Sequence, residues 1–169
     1  IPSLDDVIFT MPNGTIPFDF YFNGTLYSGF NLSSNGFITF GTTPPATTTY
    51  LPISVTVAYN GALSAVGRDL QGAFGTTANT TTASNVLTNV TGFAGVLVGR
   101  IITGTGIPAN ATITAFDPGA QTITISDNAT ATGTAVAVTI AAGEIRYEVL
   151  GSAPNRVFVI QFKNFRKFN

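Results

Sequence analysis

The chain has 169 residues, of which 44% are hydrophobic and 9% charged, with a net charge of −1 and neither His nor Cys. A charged fraction so far below the globular average of about 25% excludes a disordered chain, and the balance of charge excludes a basic nucleic-acid or membrane-surface protein. Without His and Cys, Ser-His-Asp and Cys-His catalysis, the usual zinc sites and a disulfide framework are all excluded.

The first predicted strand covers Val7–Met11, and the second covers Ile16–Phe22. In the second, Ile16, Phe18, Phe20 and Phe22 alternate with Pro17, Asp19 and Tyr21, the period of a half-buried strand. Asn23-Gly24 then predicts a type I′ hairpin into Thr25–Phe30, because both turn residues tolerate positive φ. Asn-Gly recurs at Asn13, Asn35 and Asn60, marking tight turns around predicted strands Phe37–Gly41 and Ser54–Tyr59. The Thr/Pro-rich segment Thr42–Tyr50 reads as a loop. Next come apolar Phe93–Ile102, then Ala111–Phe116 and Gln121–Ser126 around an Asp117-Pro118-Gly119 turn, then Thr134–Ile140 with Val136, Val138 and Ile140 on one face. Glu144–Leu150 and Arg156–Lys163 close the chain as a hairpin. Ile1-Pro2 at the start and the strand-like end Phe165–Asn169 suggest a mature chain or a fragment, with more polypeptide following.

Aromatic residues divide this succession. Between 75 and 142 there are only Phe93 and Phe116, and Thr, Ala, Gly, Val and Ile supply the rest. The expected architecture is all-β: a discontinuous β-sandwich, jelly-roll-like, from 1–74 plus 143–169, with a small Ig-like β-sandwich or barrel module at 75–142 inserted into it. A 68-residue module with an Ala/Val core is marginal alone, so it is expected to lean on the frame or on a neighbouring subunit.

Candidate chemistry is sparse. Glu144 and Glu148 share a strand face, but the alternation around them reads as a solvated surface rather than a glycosidase pair. Asp5-Asp6 and Asp127-Asn128 are the local candidates for calcium oxygens, and turn or cap roles fit them better. Asp69 reads as the anchor of a buried hydrogen-bond network, and Lys163, Arg166 and Lys167 as a solvated strand end. No catalytic residue, metal or cofactor is expected. Tyr21, Tyr27, Tyr50, Tyr59 and Tyr147 are the rings on which a sugar can stack; Tyr21 and Tyr147 are taken as the ligand-binding candidates, Tyr21 because it points away from the Phe18/Phe20/Phe22 face. Asn-x-Ser/Thr at Asn13, Asn23, Asn31, Asn79, Asn89, Asn110 and Asn128 gives seven candidate N-glycosylation acceptors, although Asn opening a turn and Thr opening a strand produce the same pattern.

Phe18–Tyr27, Ser33-Ser-Asn-Gly-Phe-Ile-Thr-Phe-Gly41, Val66–Gly72 and Ile145–Asn164 together resemble a β-sandwich domain of large Bacteroidetes surface proteins, including type IX-secreted proteins and gliding-type adhesins. The Ser33–Gly41 phrase also resembles nidogen-like extracellular domains. Phe37 and Phe162 stand where that family often has Trp, and the segment before Asp69 lacks its aromatic. Ile102–Pro108, Thr112–Phe116, Thr122–Ser126 and Ala129–Gly133 are similar to segments of phage tail and capsid-decoration proteins and of bacterial surface repeats. These resemblances imply a non-enzymatic extracellular structural or adhesive protein, a part of a surface fibre or large adhesin, with self-association or neighbouring domains as partners and surface glycans as a further one. A carbohydrate-binding module of a secreted protein and a phage or virus structural protein are the alternatives.

Overall fold

The computed structural model describes residues 4–52 and 59–168, so most of the predicted strand Ser54–Tyr59 lies outside the described residues. The described residues contain sixteen strands and no helix. They divide into two compact units, one holding Leu4–Gln71 and the chain from Glu144 onward, the other Gly72–Gly143. This division lies a few residues ahead of the compositional break after Phe74, because a strand already begins at Ala73.

Numbered in chain order, the first unit (the frame) holds β1 (Ile8–Met11), β2 (Phe20–Phe22), β3 (Thr25–Tyr27), β4 (Phe30–Ser33), β5 (Phe37–Thr39), β6 (Ala62–Ser64) and β7 (Leu70–Gln71). The second unit (the insert) holds β8 (Ala73–Thr80), β9 (Val86–Leu87), β10 (Ile101–Gly104), β11 (Ile113–Asp117), β12 (Thr122–Ile125) and β13 (Gly133–Ala141). The chain then returns to the frame with β14 (Glu144–Leu150), β15 (Val157–Lys163) and β16 (Arg166–Lys167).

In the frame, β1-β4-β5-β6 form one antiparallel sheet, and β14-β15, β2-β3 and β16-β7 form two-stranded ribbons. Asn23 and Gly24 take φ of 48° and 77°, as a type I′ turn needs, and set the register Phe20↔Tyr27. The predicted strand Ile16–Phe22 is shorter than expected: only Phe20–Phe22 enters a ladder. Pro17 has no N–H to give a partner strand. The alternation survives the loss of pairing, for Ile16, Phe18, Phe20 and Phe22 all face the core while Pro17, Asp19 and Tyr21 are exposed. That core gathers Phe30, Leu32 and Phe40 with Ile145, Phe158, Ile160 and Phe162 of the closing hairpin, so Phe20 and Phe158 share one interior. Phe40, 1% exposed, lies 4.8 Å from the Tyr27 ring centroid, 5.1 Å from Phe22 and 5.5 Å from Phe20.

The insert stacks two three-stranded sheets, β10-β13-β8 and β11-β12-β9. Leu87, Ile113, Ile123 and Ile125 come from one sheet and Ala78, Ile102, Val138 and Ile140 from the other, and they meet in a single buried cluster. Isolated bridges at Asn79–Thr88 and Ile101–Thr112 link the edges without continuing either ladder. No sheet closes into a barrel, so of the two forms expected for the insert the open sandwich is the one observed. The Asp117-Pro118-Gly119 turn forms as read: the Asp117 carboxylate accepts from the Gly119 and Ala120 N–H groups at 2.8 and 3.1 Å. Phe93–Ile102 is mostly turns, with Gly95 and Gly99 at φ of 73° and 84°, and becomes strand only at Ile101. Outward threonines satisfy one another, as in Thr77–Thr91 and Thr82–Thr132, both at 3.0 Å between hydroxyl oxygens.

Candidate functional site

The most connected polar side chain described in the frame is Asn35, in the turn between β4 and β5. It is 0% exposed. Its Oδ1 accepts from the Leu70 N–H at 2.9 Å, and its Nδ2 donates to the Thr49 carbonyl at 3.1 Å and to Asp6 Oδ1 at 3.3 Å. Its own carbonyl accepts from the Arg68 N–H at 3.3 Å. One buried amide thus ties together the N-terminal segment, the Thr/Pro-rich loop and the 68–70 segment, which sequence distance alone would leave independent.

Two features sit on the segments Asn35 holds. The first is a carboxylate cluster: one oxygen from each of Asp5, Asp6 and Asp69 lies within 4.8 Å of the others. Asp5 Oδ1 is buried with no hydrogen-bond partner. Burial first, then the Asp6 and Asp69 charges, push the Asp5 carboxyl above its usual range. Three carboxylates offer hard oxygens of the kind calcium takes, but the one oxygen that each brings to the cluster makes three against the six to eight it needs, and Asn35 presents its donor rather than its oxygen to Asp6. A proton on Asp5 relieves the same repulsion. Folded Asp5 therefore holds its proton more tightly than unfolded Asp5, and stability falls as pH rises from the ordinary value of 3.8 through the raised folded one. Asp5→Asn is expected to be more stable than the parent at neutral pH, the gain vanishing below pH 3.8, as urea midpoints at both pH values will read.

The second feature is an open cavity of about 570 Å³ beside Asp69. Tyr50, Leu51, Val66 and Phe168 line it and are 46%, 61%, 49% and 43% exposed. Arg68, Asp69 and Lys167 complete the lining. Pairing of β16 with β7 and the Phe168 N–H to Asp69 carbonyl bond of 2.9 Å place Lys167 and Phe168 there.

The residues expected from sequence to bind ligand lie elsewhere. Tyr21, 62% exposed, projects from the β2-β3 ribbon opposite Leu26. Tyr147, 51% exposed, stacks on Phe158 at 5.4 Å and borders a smaller groove with Arg146, Leu150 and Val159. Tyr27 is packed on Phe40. Glu144 is ion-paired with the exposed Arg146. Of the sequon asparagines, Asn13, Asn23, Asn89, Asn110 and Asn128 are exposed. Asn31 is 1% exposed, its amide donating to the Gly41 carbonyl at 3.2 Å and accepting from Thr10 at 3.0 Å, so this amide is committed to the fold. Asn79 Oδ1 accepts from the Ala135 N–H at 2.8 Å. Sequence reasoning read Asn35 only as a turn residue and gave no role to Arg68 or Phe168; within the polar turn Ser33-Ser34-Asn35-Gly36 no local signal sets Asn35 apart.

The antiparallel sheets define an all-β protein of sandwich type, with an open cavity of mixed aromatic and charged lining. The chain belongs to the NIDO-related family, whose model matches residues 3–98. Domains of this family are typically extracellular and non-enzymatic. No curated protein and no solved structure matches the chain. No described helix is long and apolar enough to cross a membrane.

Proposed function

We propose that this chain is a non-enzymatic structural or adhesive module of a cell-surface protein, a domain of a large adhesin or a subunit of a surface fibre, as in the Bacteroidetes proteins its frame motifs resemble. The observation that carries this reading is the NIDO-related match over 3–98, falling on an all-β chain. The surface supports it. Among the described residues fourteen large hydrophobic side chains are exposed, on a protein only 9% charged, an exterior suited to contact with neighbouring domains or further copies. Antibodies raised against the chain are expected to label intact source cells, and electron microscopy of the native material to show assemblies. Labelling that appears only after permeabilisation would overturn the surface role. A second reading, a carbohydrate-binding module, is favoured by the Tyr50–Phe168 cavity.

A further inference from the structure

The geometry points to the cavity between Tyr50 and Phe168 as a binding site for a neutral saccharide. This assignment deepens the surface reading above, on which it rests for access to glycans.

Four observations lead to it. Two aromatic rings line one cavity with roughly half their area exposed, an arrangement that folding alone does not reward. The apolar face of a pyranose, built from its axial C–H groups, is a flat partner for such rings. Second, Arg68 and Lys167 border the cavity as donors and Asp69 as an acceptor. Neither cation forms an ion pair among the described residues. A sugar hydroxyl is donor and acceptor at once, so neighbouring hydroxyls match a mixed cation–carboxylate lining. Third, these charges belong to the lining itself rather than to a distant rim. An apolar protein partner seated here would strip water from three charges without replacing it, which is unfavourable. Fourth, the volume of about 570 Å³ falls within the range of about 300–1,000 Å³ usual for ligand sites.

The sign of charge separates neutral from acidic sugars. Arg68 and Lys167 face Asp69, with Asp5 and Asp6 beside it, so positive and negative charges offset one another and no net positive field selects a uronate. A neutral ring needs no such field. Asn35 positions the site without touching the ligand, through Thr49 beside Tyr50 and Leu70 beside Asp69.

The test is affinity electrophoresis of the full chain through gels holding β-glucan, mannan, xylan or galactan, with polygalacturonate in a separate gel. At least one neutral polymer is expected to retard the protein, and raised salt to leave the retardation in place. Tyr50→Ala and Phe168→Ala should each weaken it by about tenfold, the loss of roughly one stacking contact. Arg68→Gln should weaken it as well, and Tyr21→Ala should not. Thermal unfolding of each variant, matched to the parent, guards against loss of fold. If Tyr50→Ala unfolds early, Phe168→Ala and Arg68→Gln decide. The assignment fails if no neutral polymer retards the protein, if the cavity variants are retarded as the parent is, or if retardation is confined to polygalacturonate and lost in salt. Intact-cell labelling without retardation removes this site and leaves the surface role standing. Retardation without such labelling does the reverse.

Discussion

Asn35→Ala is expected to destabilise the frame by about 3 kcal/mol, read as a lower urea midpoint at unchanged slope. The substitution removes three side-chain hydrogen bonds from a residue that is 0% exposed. The Leu70 N–H is itself buried, and an unpaired buried donor carries a desolvation cost of about 1–3 kcal/mol. The Asp replacement separates hydrogen bonding from charge. Asn35→Asp keeps an acceptor for Leu70 but loses the donor to Asp6 and adds a fourth carboxylate beside Asp5, Asp6 and Asp69. Its stability at neutral pH should fall at least as far as that of the Ala variant and recover in part on acidification, because protonation removes the repulsion. An Asn35→Ala midpoint within error of the parent would remove Asn35 as the organiser of these loops.

Phe40→Ala should cost about 3–5 kcal/mol, the range for truncating a buried Phe. The ring is 1% exposed and touches Phe20, Phe22 and Tyr27, so its removal opens a cavity at the centre of the aromatic cluster and cuts three ring pairs at once. The frame and insert clusters have no residue in common. Amide exchange should therefore accelerate in β2, β4 and β5 while Ile123 and Ile140, both 0% exposed in the insert, keep their protection. Equal acceleration in both would show that the two interiors melt as one.

What could be read from sequence followed from local chemistry. Glu144–Leu150 reads as a strand from its alternation and is one, residue for residue. Asn23-Gly24 and Asp117-Pro118-Gly119 make their turns because the residues at the bend carry the required φ or side-chain acceptor. β8 escaped notice: Ala73–Thr80 has no alternation of large side chains, and its strand character comes from pairing with β13. The candidate site was less legible still. Asn35 meets partners 14, 29 and 35 residues away, and nothing within those intervals announces the meeting. Lys167 reads as a solvated strand end because its neighbours Arg68 and Tyr50 arrive only through the fold. Tyr21, the more exposed of the two candidate rings, lines none of the described cavities, while Tyr147 borders the smaller groove.

The entrance and exit of the insert are hydrogen-bonded neighbours. The Gly143 and Ala142 N–H groups both donate to the Gly72 carbonyl, at 2.7 and 2.9 Å. A guest whose two chain ends meet at one peptide asks its host for a gap no wider than an ordinary turn, and loop-closure entropy grows only slowly with the number of residues carried between such ends. The chain between Gly72 and Gly143 is therefore expected to tolerate lengthening or shortening while the flanking strands β7 and β14 keep their own pairing.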